Sequence, residues 1–211
     1  MAERTVQRRD AERTKSRLLT EAMAAFAETG YTGTGVDEIA ARTGTTKRMI
    51  YYYFGSKEGL YQAVLERAYR GIREAEQSIV SANLDPIESV RHIAQLTFDH
   101  HLEHQDFIRL VAIENIHRGR TIRGLESLRE LNAPALGVLE QALDRGRADG
   151  VFRDDVTALD MHLLISSYCV FQVMNRHTFG FLFSVDFASP DTRDHMRTMI
   201  GDVVVGWATR R

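Results

Sequence analysis

Residues 36–60 read VDEIAARTGTTKRMIYYYFGSKEGL and predict a short helix, a tight turn, a second short helix and the start of a third. Gly44 stands at the turn, where the absence of a Cβ permits the left-handed backbone that a sharp connection requires. Ile39 and Ala40 offer a small apolar contact where the two helices cross, and Ile50 returns the second helix to the core. This arrangement is typical of a helix-turn-helix, whose second helix enters the DNA major groove.

Polar residues just before the predicted helices are expected to cap them. Thr34, followed three residues later by Asp37, is expected to open the first helix of this stretch, and Thr46 the second. Ser56 is expected to cap the next helix, which has Lys57 in its first turn.

This stretch resembles the DNA-binding domain of the TetR family of transcription regulators. The resemblance rests on IAARTG, on KRMIYYYFGSKEGL and on the preceding LLTEAMAAFAETGYTGTGV, which all lie within residues 18–60. It implies a DNA-reading head, a helical body that encloses a small-molecule pocket, and pairing of two copies. It also implies a regulator rather than an enzyme.

The rest of the chain predicts helices almost throughout, so the expected fold class is all-α. Proline occurs only three times, and no strand-like alternation is sustained. The pattern predicts about nine helices, the eighth over 156–179 and the ninth from Ser189. We expect an N-terminal arm with a three-helix DNA-binding domain at 1–56, followed by a helical ligand-binding and dimerisation domain at 57–211.

Charge is distributed unevenly along the 211 residues. Residues 1–60 carry 10 Lys and Arg against 8 Asp and Glu, a net +2, so the remainder carries 17 against 21, a net −4. A basic head on an acidic body suits a DNA-binding protein. Residues 1–17 are the most basic part and predict either an arm that reaches DNA or a solvated tail.

Nothing in the sequence predicts export or membrane insertion. Cys169 is the single cysteine, the N-terminus has no apolar signal region, and no run of about 18 apolar residues occurs. We therefore expect a cytoplasmic protein without disulfides and without a membrane partner.

The second helix of the helix-turn-helix carries the candidates for reading DNA sequence. Lys47, Arg48 and Tyr52 are predicted to contact base edges or the groove. Lys and Arg suit guanine because its major-groove edge presents only acceptors. Tyr51, the neighbour of Tyr52, is expected to face the core.

Three further residues are candidates for contacts with the phosphate backbone. Thr46 and Tyr53 flank the predicted base-reading positions. Lys57 lies at the start of the next helix, where backbone N–H groups already favour an anion. Contacts of this kind position a protein on duplex DNA without reading its sequence.

The last two predicted helices carry more apolar surface than a monomer easily covers. We expect them to pair with their copies across a two-fold axis, as the family resemblance also implies. The alternative is that the last helix only closes the monomer core. Its apolar stripe comprises Met196, Met199, Ile200, Val203, Val204 and Trp207.

The resemblance implies an effector pocket in the body, and aromatic residues with a few polar groups are its candidate lining. Gln172 and Asn175 lie three apart on one helix and can point into the same space. Glu114 and Asn115 form an unusual polar pair in an apolar segment, and buried polar groups need partners. Protein backbone or solvent is the alternative partner. The candidates are Phe98, Phe107, Val111, Glu114, Asn115, Tyr168, Phe171, Gln172 and Asn175.

Histidines raise the alternative of a metal site. His100 and His104 lie four apart, a spacing that can hold zinc on a helix, but the HEXXH pattern is absent and a solvated helix end is favoured. No motif for nucleophilic catalysis or phosphate cradling occurs around Cys169 or elsewhere. We expect no catalytic residue, no metal and no cofactor, with an all-helical metal-dependent hydrolase as the remote alternative.

Together these features predict a ligand-responsive, DNA-binding transcription regulator. The favoured form is a repressor that a small molecule releases from a palindromic operator. An activator, or a regulator that binds DNA more tightly with its ligand, is the alternative. A DNA-packaging protein without operator preference is a third.

Overall fold

A computed structural model describes residues 2–80 and 84–209, and the side chains of residues 9–76 and 84–209. The all-α prediction is confirmed: the described residues form ten α-helices, one short 3-10 helix at Ile122–Gly124, and no sheet. The α-helices are α1 Ala2–Gly33, α2 Val36–Thr43, α3 Lys47–Phe54, α4 Lys57–Val80, α5 Pro86–Glu103, α6 Gln105–Ile116, α7 Glu126–Ala148, α8 Ala158–Met174, α9 Arg176–Phe183 and α10 Pro190–Ala208.

The chain divides into two compact units. The first, here called the head unit, comprises Met1–Tyr69 with Arg109–Leu128, and the second, the body unit, comprises Arg70–Ile108 with Arg129–Arg211. The helix α4 therefore begins in the head unit and ends in the body unit. The predicted boundary after residue 56 separates DNA-binding from ligand-binding functions, whereas these units are defined by packing. The predicted boundary therefore stays a prediction.

The helix-turn-helix of the head unit is built as the sequence predicts. Gly44 ends α2 in the left-handed conformation, at φ 61° and ψ 30°. The Thr46 side chain accepts a hydrogen bond from the Met49 backbone N–H and so caps α3. Ile39 and Ile50 are buried, which fixes α2 and α3 in the core of this unit.

The cap predicted for α2 is wrong. Gly35, not Thr34, is the N-cap, and it has no side-chain bond. The Thr34 hydroxyl instead lies 2.8 Å from the Gly30 carbonyl oxygen and 3.1 Å from that of Ala25. Gly30 interrupts α1 at φ 74°, and Thr34 ties the chain back to α1 after this break. Thr34 therefore lies one residue before the N-cap of α2, and its hydroxyl is directed back at α1.

In the body unit, α5 and α8 pack against each other and against α10. Their apolar faces form one core with residues of α7, and Phe98, Phe152 and Met161 are fully buried in it. The Asp99 carboxylate accepts hydrogen bonds from Arg193 at 3.1 Å and Arg197 at 2.7 Å, which fasten α10 to α5.

The predicted eighth helix is interrupted, which raises the number of helices above the predicted nine. Asn175 ends α8, and its side-chain amide donates to the Phe171 carbonyl at 3.3 Å. The chain departs from regular helix at Asn175, with φ −106° and ψ −1°, and restarts as α9. Ser184 ends α9 in the left-handed region at φ 54°. The aromatic run 179–183 therefore lies in a helix of its own, beyond the predicted end of the eighth helix at 179.

None of the helices in the described part of the chain is long and apolar enough to cross a membrane.

Candidate functional site

The outer face of α3 carries the side chains predicted to read DNA. Lys47, Arg48 and Tyr52 are all exposed, and Tyr52 keeps 77% of its surface accessible. Ile50 of the same helix is fully buried, so packing fixes α3 while the opposite face remains available. A groove-reading helix needs this division between a packed side and an open side.

The two basic residues of α3 differ in their electrostatic partners. The Lys47 Nζ lies 2.9 Å from the Asp37 carboxylate of α2, and this hydrogen bond and charge raise the lysine pKa. Arg42 is likewise held, by Glu28 and Glu38. Among the described residues, Arg48 has no ion pair. Its guanidinium is therefore the cation of α3 that can contact a base without leaving a protein partner.

The remaining tyrosines of α3 take different positions. Tyr53 is half-buried and meets the Tyr52 ring edge-on, with ring centroids 5.2 Å apart. Tyr51 was expected in the core, but it is 40% exposed, and this expectation is wrong. On a helix, positions four apart share a face, so Ile50 and Phe54 occupy the inner side and leave Tyr51 at its edge.

Lys57 is held at the start of α4 by an aromatic ring. Its Nζ lies 4.6 Å from the centroid of Tyr31, within the range of a cation–π interaction. Ser56 caps the same helix by accepting the Gly59 N–H at 2.9 Å, so the predicted cap is confirmed. A positioned ammonium beside a helix N-terminus is suited to a phosphate.

Glu114 and Asn115 of α6 both have protein partners. The Glu114 carboxylate accepts the Tyr61 hydroxyl at 3.0 Å and the N–H groups of Thr121 and Ile122 at 3.2 Å each. Burial, and then the Glu114 charge, raises the pKa of Tyr61. Asn115 is exposed and donates to the Val111 carbonyl of its own helix at 2.8 Å. Ligand contact by these head-unit residues stays a prediction.

The predicted lining residues of the body unit differ in burial and in hydrogen bonding. Phe98 and Phe107 are buried. Tyr168 donates its hydroxyl to the Met196 carbonyl at 3.2 Å. Phe171 is exposed, and Asn175 is bound to its own helix. Ligand contact by these five residues also stays a prediction.

Gln172 differs from the other predicted lining residues. It is only 2% exposed, and its Nε2 has no hydrogen-bond partner among the described residues. It also lines a cleft of about 390 Å³ at the ends of α8 and α9. The sequence predicted that Gln172 and Asn175 point into the same space from one helix face. Because α8 ends at Met174, Gln172 lines the cleft without Asn175.

Histidines of α5 form part of a buried polar cluster. The expectation of a solvated helix end is wrong for His100, which is buried, whereas His104 is exposed. The neighbouring His101 is buried as well. Burial lowers the pKa of His100 to about 4 and that of His101 to about 3. Nearby, Arg73 and Glu76 form a buried ion pair at 2.7 Å, and burial raises the pKa of Glu76 to about 7.

The sequence held a signal for this burial. The apolar periodicity of α5 over residues 93–98 continues to 101 at helical spacing. Only the polarity of the histidine side chains indicated that they would face solvent. In the described part of the chain, no three His, Cys, Asp or Glu side chains are grouped to hold a metal.

One apolar face of the body unit remains open. Val203 and Trp207 of α10 are exposed, while Ile200 and Val204 are buried inside the unit. The stripe predicted as a single interface is thus divided between the core and the surface. The open part borders a cleft of about 490 Å³ lined by Asp160, Leu163, Leu164, Ser167, Val203 and Trp207.

The sequence matches known regulators over both units. A family model described as "Bacterial regulatory proteins, tetR family" matches residues 18–64, and one described as "Tetracyclin repressor-like, C-terminal domain" matches residues 86–204. The HTH-type transcriptional repressor NicS of Pseudomonas putida is 35% identical over 200 residues, which cover 95% of this chain and 94% of NicS. The HTH-type transcriptional repressor SCO4008 of Streptomyces coelicolor is 31% identical over 157 residues, which cover 74% and 77%.

The fold is also shared with solved structures. The transcriptional regulator SCO4942 of Streptomyces coelicolor matches with a TM-score of 0.69 and 26% identity, covering 90% of this chain and 97% of that one. The ketosteroid transcriptional regulator KstR2 of Mycobacterium tuberculosis matches with a TM-score of 0.70 and 21% identity, covering 93% and 95%. With its helix-turn-helix, its helical body and these matches, the chain belongs to the TetR family of transcription regulators.

Proposed function

We propose that this protein is a homodimeric repressor that binds a palindromic operator through α3 and leaves it when a small molecule binds the body. The observation that carries the proposal is the outer face of α3, where Arg48 and Tyr52 are exposed on a helix fixed by buried Ile50. NicS and SCO4008, the two relatives that match most of the chain, are both named repressors, which supports repression over activation.

In the proposed complex, the residues of α3 divide the work of binding. Arg48 reads a guanine edge, because its guanidinium can donate twice to the two acceptors there. Lys47 and Tyr52 contact the groove beside it. Thr46, Tyr53 and Lys57 contact phosphates and set the position of the helix.

The proposed dimer forms through α8 and α10, the last two long helices. Leu163, Val203 and Trp207 are exposed around one apolar cleft, and Leu159 and Met199 add to the apolar surface of the same two helices. A two-fold axis would bring the same residues of each copy together and cover them. Trp207→Asp should therefore give a monomer in sedimentation at micromolar concentration. A Trp207→Asp protein that stays dimeric would place the interface elsewhere.

The proposed response to an effector is a population shift. A small molecule that prefers the body conformation with displaced heads lowers operator affinity by its differential affinity for the two conformations. The helix α4 is the proposed link, since it begins in the head unit and ends in the body unit.

Selection of bound duplexes from a random pool tests the proposal most directly. We expect enrichment of one palindrome, whose symmetry reports the dimer and whose half-site spacing reports the separation of the two heads. Equal recovery of random sequences would instead indicate a packaging protein. Enrichment of a single unrepeated site would contradict the symmetric dimer.

A further inference from the structure

The cleft at the ends of α8 and α9 has an apolar wall and a returning loop. The loop after α9 is tied back by the Val185 N–H, which donates to the Gly180 carbonyl at 3.0 Å. Phe187 of this loop packs against Phe179 of α9, with ring centroids 6.0 Å apart. Leu102 of α5 and Phe181 complete much of the apolar lining. The volume of about 390 Å³ lies in the range of small-molecule sites, roughly 300–1,000 Å³.

Gln172 lines this cleft and has one buried, unused donor. Its side chain is 2% exposed, and Nε2 has no hydrogen-bond partner among the described residues. Burying an amide N–H without an acceptor is unfavourable, and native proteins rarely retain such a group. An acceptor supplied by a bound molecule would satisfy it.

The charged residues of the lining have opposite signs, so they do not select one charge for the bound molecule. The Arg176 Nε donates to His177 at 3.2 Å, and the Asp186 carboxylate accepts the Ala188 N–H at 2.9 Å. One cation and one anion therefore line the same cleft. The apolar wall and the single buried donor define the ligand more sharply than charge does.

We propose that this cleft binds the effector, and that the effector is a compact, largely apolar compound whose carbonyl oxygen accepts a hydrogen bond from Gln172. This inference rests on the proposed effector-responsive function and gives it a site and a chemical class. The shared chemistry is the carbonyl oxygen, which a carboxylate and a carboxamide both supply.

Three matched probes test the chemistry. The full-length protein is titrated calorimetrically with 2-naphthoate, 2-naphthamide and 2-naphthylmethylamine, which share a two-ring body. We expect the carboxylate or the carboxamide to bind at least tenfold more tightly than the amine, which lacks an acceptor. The tighter of the first two reports which carbonyl source the cleft prefers. Equal affinity for all three, or no binding by any, would overturn the proposal.

Two variants test the position. Gln172→Leu should weaken the carbonyl probes at least tenfold without lowering the melting temperature, because the side chain that it removes has an unused donor. Gln141→Leu, an exposed position on α7, is the matched control and should change neither quantity. Ala188→Phe, at an exposed position in the lining, should fill the cleft and abolish binding even if Gln172→Leu folds poorly. Unchanged probe binding in Gln172→Leu or Ala188→Phe would refute the site.

Operator binding, measured in the same samples, separates this inference from the proposed function. A protein that binds its operator but none of the probes refutes the inference and leaves the repressor intact. A protein that binds the carbonyl probes through Gln172 but no operator supports the site and refutes the repressor. Release of the operator by a carbonyl probe from the wild type, but not from Gln172→Leu, supports both.

Discussion

The head unit and the body unit differ in how they treat buried polar side chains. In the head unit, the buried Glu114 carboxylate has three donors, and Thr34 is bonded on two sides. Within the described side chains, every buried polar atom that lacks a hydrogen bond falls in the body unit, among them Gln172 Nε2 and the Nδ1 atoms of His100 and His101. In the unit that carries the helix-turn-helix, the described buried polar side chains have hydrogen-bond partners. The unit proposed to enclose an effector has buried polar atoms without them.

The largest expected effect contrasts the two kinds of buried polar group. Glu114→Ala should cost about 2–4 kcal/mol of unfolding free energy, because it leaves the Tyr61 hydroxyl and two backbone N–H groups without their acceptor. Gln172→Leu should cost nothing or stabilise, since its donor has no partner to lose. Urea denaturation of both variants checks the contrast. Equal destabilisation would erase the difference between the units.

The next effect concerns the outer surface of the head. Arg48→Ala should weaken operator binding by roughly tenfold to a hundredfold and relax the preference for one base pair, as loss of a guanine contact does. Lys47→Ala should weaken it less, because Lys47 already has Asp37 as a partner. Binding to duplexes varied at single positions measures both effects. A uniform loss across all sequences in Arg48→Ala would assign that residue to phosphate instead.

The buried cluster of the body should make stability depend on pH. His100 and His101 have folded pKa values of about 4 and 3, below the ordinary 6.5, so the stability that they contribute at neutral pH is lost as pH falls below 6.5. Glu76, with a folded pKa of about 7 against 4.5, gains protonation over the same range and opposes this loss. His162, whose pKa burial also lowers, adds to it.

The two histidines outweigh the one carboxyl. Between pH 7.5 and pH 5, we expect a net loss on the order of 2 kcal/mol, from about 1.4 kcal/mol per pKa unit. Urea denaturation at the two pH values measures the loss, and His101→Gln should remove most of it. Stability that rises on acidification would mean that Glu76 dominates the cluster.

The smallest effect belongs to Lys57. Lys57→Ala should weaken binding severalfold on every duplex and lower the slope of log affinity against log salt by about one unit, as expected for one lost phosphate contact. Tyr31→Phe keeps the ring beneath the ammonium and serves as the control, since the cation–π contact does not need the hydroxyl. A salt slope that does not change in Lys57→Ala would reject the phosphate assignment.

The same division between the units explains which features were predictable from the sequence. Gly44 and Thr46 act through backbone geometry within a few residues, so local rules identified both. Thr34 and Tyr51 were misplaced because their positions depend on α1 and on the edge of the packed face. The placement of the predicted DNA contacts on an exposed face followed from the same local pattern.

The body was less predictable because its polar residues depend on tertiary packing. The spacing of His100 and His101 continues the buried face of α5, but their polarity indicated solvent, and packing against neighbouring helices decided the outcome. Asn175 was predicted to share a face with Gln172, but α8 ends at Met174, between the two residues. The unused donor of Gln172 became visible only with the helix end and the loop beyond it.

The ion pair between Asp37 and Lys47 has a consequence for how the operator is found. A regulator searching a chromosome spends most of its time on wrong sequences, held by attraction to the phosphates. Lys47 adds little to that attraction, because the ion pair that it forms with Asp37 carries no net charge. We therefore expect shorter residence on random DNA, and a faster search, than if Lys47 were unpaired.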